Sequence, residues 1–265
     1  MATEINPNNP SSLTEDEMAE IQRIQAEIDL SSSSAISTYG NLASSGAAID
    51  ALSQTMERAP TTSLAGKIAE IVTKLEEADP RKVEGKSNWL TKMTGADLEN
   101  KVRYQVSRKA VDTLLEEADR MTARVVMLVD QLDKMIETHA EESRGLRLRI
   151  VAGRAYLEAN PTAGIPPEGE ITFDNPRERF ARRLTSMSAL LSSHEMSVAQ
   201  MKLARGQALD MIERYHEISS VLVPVWRQHT LALVSNLKNS PESIAVATKA
   251  HESLMNSLAA LKGNA

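Results

Sequence analysis

Along the middle of the chain, Val111, Leu114, Ala118, Met121, Val125, Leu128, Leu132 and Met135 follow one another at alternating steps of three and four. That is a heptad seam, the pattern of a helix packed lengthwise on a partner. From about residue 96 to 160 there is no proline, and the only glycines are Gly145 and Gly153. The pattern therefore predicts one helix of roughly 65 residues, about 95 Å long if unbroken. A second seam reads Phe180, Leu184, Met187, Leu191, His194, Val198, Met201, Arg205, Ala208, Ile212 and Tyr215. Between the two, Pro161, Gly164, Pro166, Pro167 and Gly169 form a turn over 161–175 that cannot continue a helix. Asp174 or Asn175 can cap the next helix, with Pro176 at its first position. Two long seams joined by a short polar connection predict an antiparallel α-hairpin over 95–239.

Shorter helices flank it. Residues 1–13 lack periodicity and are expected to be a flexible leader. Thr14 and Glu17 make a capping box, and Met18, Ile21, Ile24 and Ile28 recur at helical spacing, predicting a first helix to about Leu30. Ser31 to Ser34 look like a linker, with helix resuming through Ile36, Tyr39, Leu42, Ile49, Leu52 and Met56 until Pro60 ends it. Leu64, Ile68, Ile71, Val72 and Leu75 mark another helix that stops before Pro80, and Trp89 with Leu90 is the expected docking point of the loop that follows. These short N-terminal helices occupy 14–94. Pro224 is expected to kink the second long helix, and Ser240-Pro241-Glu242 opens a last helix over 240–265 that packs on the end bundle. The fold class predicted is all-α: an elongated, coiled-coil-like antiparallel hairpin of two very long helices with a small helical bundle at the end away from the turn.

Composition supports this. Only eight residues are aromatic, as in thin bundles whose seams are filled by Leu, Ile, Val and Met. With no cysteine there is neither a disulfide nor a thiolate site, which suits a reducing compartment. The polar, acidic N-terminus does not read as a secretory signal, and the apolar run Val221 to Trp226 is far too short to span a membrane. The expected location is cytoplasmic, extending to a peripheral place at the inner membrane surface. Net charge is −6, which argues against a specific nucleic-acid partner. Charge is uneven, however. From Arg144 to Arg183 eight arginines face five acids and no lysine occurs. Arg144, Arg147, Arg149 and Arg154 on one limb, with Arg177, Arg179, Arg182 and Arg183 on the other, make a candidate site for an anionic partner, because the planar guanidinium donates paired hydrogen bonds to carboxylate or phosphate. The alternative is a solvated end whose arginines pair with local acids such as Glu158 and Glu178.

Other constellations carry less. Gly85-Lys86-Ser87 resembles the end of a phosphate-binding loop, but Pro80 stands where that loop needs a glycine. Glu213-x-x-His216 has the spacing of one half of a di-iron site, and no second copy exists. His139 lies 28 residues before Pro167 and His194 27 after it, so antiparallel pairing brings both to one layer of the seam. With Glu141, Glu142 and Glu195 nearby they could bind a metal or, if protonated, an oxyanion; the alternative is a polar layer that fixes register. No nucleophile and base arrangement is visible, and no cofactor is implied. Trp226 reads as an anchor buried against a neighbouring helix.

Val221 to Gln228, reading VLVPVWRQ, resembles the Pro-x-Trp segment of the TelA/KlaA toxic-anion (tellurite) resistance family, with Pro224, Trp226 and Arg227 as the motif positions. Tyr39-Gly40, LEEADP at 75–80, the long helix after Trp89 and the final helix after Pro241 follow in an order similar to that family. The resemblance implies a role in anion resistance or envelope stress. The resulting expectation is a non-enzymatic helical protein acting through a protein partner or an anionic membrane surface. A metal- or oxyanion-binding protein using the seam histidines, and a coiled-coil structural protein of a phage or cytoskeletal assembly, remain as alternatives.

Overall fold

A computed structural model describes residues 14–41, 60–77, 96–165, 175–235, 249–250, 252–254 and 256–257. The expected leader, Leu42 to Met56, Pro80, Gly85-Lys86-Ser87, Trp89 and Leu90, Pro166, Pro167, Gly169, Asp174 and the Pro241 helix start lie outside the described residues. Every regular element described is helical, and no strand occurs among these residues. The elements are α1 (Glu15–Ala26), α2 (Ser33–Thr38), α3 (Pro60–Glu77), α4 (Ala96–Ala159), α5 (Pro176–Glu217), a π-helical turn (Ile218–Leu222) and α6 (Val223–Ser235). The two long helices are α4 and α5, and they pack antiparallel as the heptads predict. The chain divides into two compact units. Unit 1 comprises Met1–Leu52 and Leu132–Leu203; unit 2 comprises Ser53–Gln131 and Ala204–Ala265.

In unit 1 the pairing runs from His139 against His194 to Gly153 against Leu184, numbers rising on α4 as they fall on α5. Leu146, Ile150, Phe180, Leu184, Met187 and Leu191 form its core together with Leu30 and Ile36, the latter from α2. Ile21 and Ile24 of α1 pack separately on Leu148, Val151 and Ala152. Gly153 has a packing reason: a Cβ there would sit 2.5 Å from a Leu184 methyl.

In unit 2 the pairing is equally antiparallel, with Tyr104 beside Trp226 and Leu115 beside Tyr215. Leu64, Ile68, Ile71, Val72 and Leu75 of α3 join Val111, Ala118, Val125, Tyr215, Ile218, Trp226 and Leu254 in one core.

One helical position in each seam is closed throughout. Val111, Ala118, Val125, Leu132, His139, Leu146 and Gly153, spaced by seven, are all buried. So are Phe180, Met187, His194, Met201, Ala208, Tyr215 and Leu222. The intervening seam residues Leu114, Met121, Leu128, Met135, Val198, Arg205 and Ile212 are half-buried.

Several boundaries differ from expectation for local reasons. Helix α1 ends at Ala26 rather than Leu30, and the Asp29 carboxylate then accepts from the Ser31 N–H and hydroxyl at 2.8 and 2.6 Å, a local turn. The serine run is no linker: the Ser32 hydroxyl caps α2 by accepting from the Ala35 N–H at 3.2 Å. Helix α2 stops at Thr38, with Gly40 at φ +71°. Pro60 begins α3, using the position where a missing N–H costs nothing, while the segment before it lies outside the described residues. Asn175 caps α5 as expected, accepting from the Glu178 N–H at 3.2 Å. At Pro224 the disruption takes the form of the π-helical turn immediately before it, where the Val223 N–H reaches back to the Ile218 carbonyl. The wider turn accommodates a ring that would crowd the preceding carbonyls.

Candidate functional site

Unit 1 contains a buried polar layer in its seam. His139 and Glu142 lie one turn apart on α4, so their side chains share a face, and His194 meets them from α5. The two Nδ1 atoms are 3.1 Å apart. Glu142 Oε2 is 3.8 Å from Nδ1 of His139 and 3.6 Å from Nδ1 of His194. Both histidines are 1% exposed and the glutamate side chain 12%. Neither Nε2 has a hydrogen-bond partner among the described residues. Burial lowers the pKa of His194, the neighbouring His139 lowers it further, and Glu142 opposes both, so the imidazole is held neutral. Of the three acids near the histidines in sequence, only Glu142 enters the layer. Glu141 is exposed, and Glu195 pairs instead with Arg147 at 2.6 Å. Among the described residues these three form the one cluster of histidine and acid side chains close enough to share an ion. Glu213 and His216 are both exposed, as a solvated polar pair would be.

The arginines of unit 1 are mostly committed to this chain's own oxygens. Arg144 bonds Glu17 of α1 at 3.3 Å. The Glu17 carboxylate also accepts from the Thr14 N–H, and these bonds keep its pKa below the ordinary value, the Thr14 contact most of all. Arg149 donates to the Gly145 carbonyl, Arg154 to the Ser188 hydroxyl, and Arg177 to the carbonyls of Leu157 and Asn160. Arg179 donates to Ser33, and Arg183 to the Tyr39 carbonyl and the Asn41 side chain. Arg182 is exposed, and its guanidinium makes no hydrogen bond or ion pair among the described residues, though its carbonyl accepts from the Ser186 hydroxyl. Glu158 and Glu178 pair with none of the eight there. Tyr39 completes the attachment of α2, its hydroxyl donating to the Arg149 carbonyl at 2.7 Å while its ring meets Phe180 edge-on; burial pushes its pKa up to about 12. Sequence reasoning did not find Tyr39, Ser33 and Asn41 as arginine partners, because the Tyr39 carbonyl carries no residue-type signal and the Ser33 hydroxyl and Asn41 amide lie more than a hundred residues away in sequence.

In unit 2 the Pro-x-Trp residues are structural neighbours of α4. Trp226 is fully buried, 5.9 Å from the Tyr104 ring centre, which makes it an anchor. Arg227 pairs with Asp112, and its carbonyl accepts from the Tyr104 hydroxyl at 3.4 Å. Pro224 is exposed.

The model of one protein family, described as Toxic anion resistance protein (TelA), matches residues 21–263. The chain belongs to the TelA family. Its TelA-family relative Protein KlaA of Escherichia coli is 47% identical over 247 residues, which cover 92% of this chain and 96% of KlaA. Protein KlaB of Escherichia coli is 23% identical over 157 residues, covering 55% of this chain and 42% of KlaB. No solved structure matches. The resemblance read at Val221 to Gln228 is thus borne out, and the TelA match supplies the setting of toxic anion resistance. None of the described helices is long and apolar enough to cross a membrane.

Proposed function

We propose that this TelA-family chain contributes to resistance to toxic anions, tellurite among them, as a non-enzymatic binding protein whose arginine-rich part of unit 1 engages an anionic membrane surface. The observation that carries this reading is the chemistry of the arginines' partners. Arg149, Arg154, Arg177 and Arg183 donate to carbonyl, hydroxyl and amide oxygens, which fix the guanidinium groups without cancelling their charge among the described residues. Each uses one or two of its five N–H donors, leaving the others for an external oxyanion. Arg182 adds an exposed cation. Each basic residue near an anionic leaflet contributes about 1 kcal/mol, enough in sum for reversible attachment without a span.

Vesicle sedimentation tests it. The chain is expected to sediment with phosphatidylserine vesicles at low salt, to be released as salt rises, and to ignore phosphatidylcholine vesicles. Arg154→Glu with Arg182→Glu, two changes that break at most one internal bond, should abolish the sedimentation. A wild-type chain that never sediments with acidic vesicles would overturn the membrane reading and leave an acidic protein partner as the occupant to seek.

A further inference from the structure

We propose that His139, Glu142 and His194 form a binding site for one divalent transition-metal ion, with zinc the best match. The inference is independent of the membrane reading, because it uses other residues and other chemistry.

Geometry is its basis. The atoms that face one another are both Nδ1 atoms and Glu142 Oε2, at mutual distances of 3.1, 3.6 and 3.8 Å. The two contacts to the carboxylate are too long for hydrogen bonds. They are the right length for ligands that share an ion: the circle through a triangle of these sides has a radius of about 2.0 Å, which matches Zn–N and Zn–O bond lengths. A point therefore exists at bonding distance from all three atoms.

The ligand types agree. Two imidazoles and one carboxylate, with a fourth position left for water, is an established zinc donor set, whereas magnesium and calcium prefer all-oxygen surroundings. Coordination through Nδ1 places both ring protons on Nε2. The carboxylate favours a cation over an oxyanion: an anion entering here would meet Glu142 in a poorly solvated seam. Glu142, with 12% of its side chain exposed, is the member through which an ion can enter.

The experiment uses the full, untagged chain stripped of metal with a chelator and titrated with Zn2+ alone, then with Co2+ as a coloured probe. One ion per chain, visible Co2+ absorption of low-symmetry character and a melting temperature raised by Zn2+ and restored by chelator are the expected results. Glu142→Gln should weaken binding by at least about tenfold, since loss of even an outer partner of a metal ligand costs that much. His139→Leu with His194→Leu restores an apolar seam, so it should stay folded and bind no ion. His216→Ala and His229→Ala should bind as the wild type does. A folded wild type that takes up no Zn2+ overturns the proposal, and so does uptake that survives the double leucine variant.

Discussion

The two units attach their short helices to the same pair of long helices by opposite means. In unit 2, α3 is held by apolar contact: Leu64, Ile71 and Leu75 are completely buried, and the Lys67 to Glu117 ion pair at 2.8 Å lies at the margin. In unit 1, α2 offers mainly Leu30 beside it and Ile36, and hydrogen bonds from Arg179, Arg183 and Tyr39 do much of the work. The seams differ in the same sense. Unit 2 fills its seven-residue position with Val111, Ala118, Val125, Ala208, Tyr215 and Leu222, whereas unit 1 interrupts its own with His139 and His194. Apolar burial gives stability cheaply, and the polar groups concentrated in unit 1 are those on which both proposed binding roles rest.

That contrast can be broken by mutation. The largest effect should come from Trp226→Ala, which removes the biggest buried side chain of unit 2 and should cost about 3–5 kcal/mol in denaturant unfolding. Gly40→Ala should cost unit 1 about 1–3 kcal/mol, because φ +71° disfavours any Cβ and the new atom would lie 2.1 Å from the Met187 terminal methyl. Arg183→Met should cost about 1–2 kcal/mol by leaving the Tyr39 carbonyl unpaired, and hydrogen exchange should quicken over residues 33–41 while α3 stays protected. Acid should act locally on α1. The folded pKa of Glu17 lies below its ordinary value of 4.5, so its contribution is complete above about pH 4.5 and is lost as pH falls through the folded value. Amide exchange over residues 15–26, followed downward from pH 6, checks this. Lys67→Ala should be the mildest change, shifting stability by less than about 1 kcal/mol, because its acid partners Glu70 and Glu117 are exposed to solvent.

Much of this was legible in the residues. The heptads predicted both long helices and their antiparallel pairing, and nearly equal separations from Pro167, 28 and 27 residues, placed the two histidines in one layer. The capping box at Thr14 and the Asn175-Pro176 start were equally plain. Pro60, named only as the end of one segment, also opens α3, because a proline can mark the end of one helix or the start of the next and local sequence does not separate the two. Ser32 was misread for a similar reason, since serine favours both linkers and N-caps. The division of the opening helices, α1 and α2 in unit 1 and α3 in unit 2, depends on tertiary packing that no local pattern encodes. Glu142 could have been chosen over Glu141 from its i+3 spacing to His139, which puts it on the buried face.

The claim at the centre of this account is that the histidine layer is present for binding and not for stability. Urea unfolding of the wild type and of the His139→Leu, His194→Leu variant, each with chelator and with Zn2+, tests it most directly. The account predicts that with chelator the variant is as stable as the wild type or more so, as buried polar layers replaced by apolar side chains often are, and that Zn2+ raises the stability of the wild type alone. A variant weaker by more than about 2 kcal/mol with chelator, beside a wild type indifferent to Zn2+, would contradict it and make the layer a structural device.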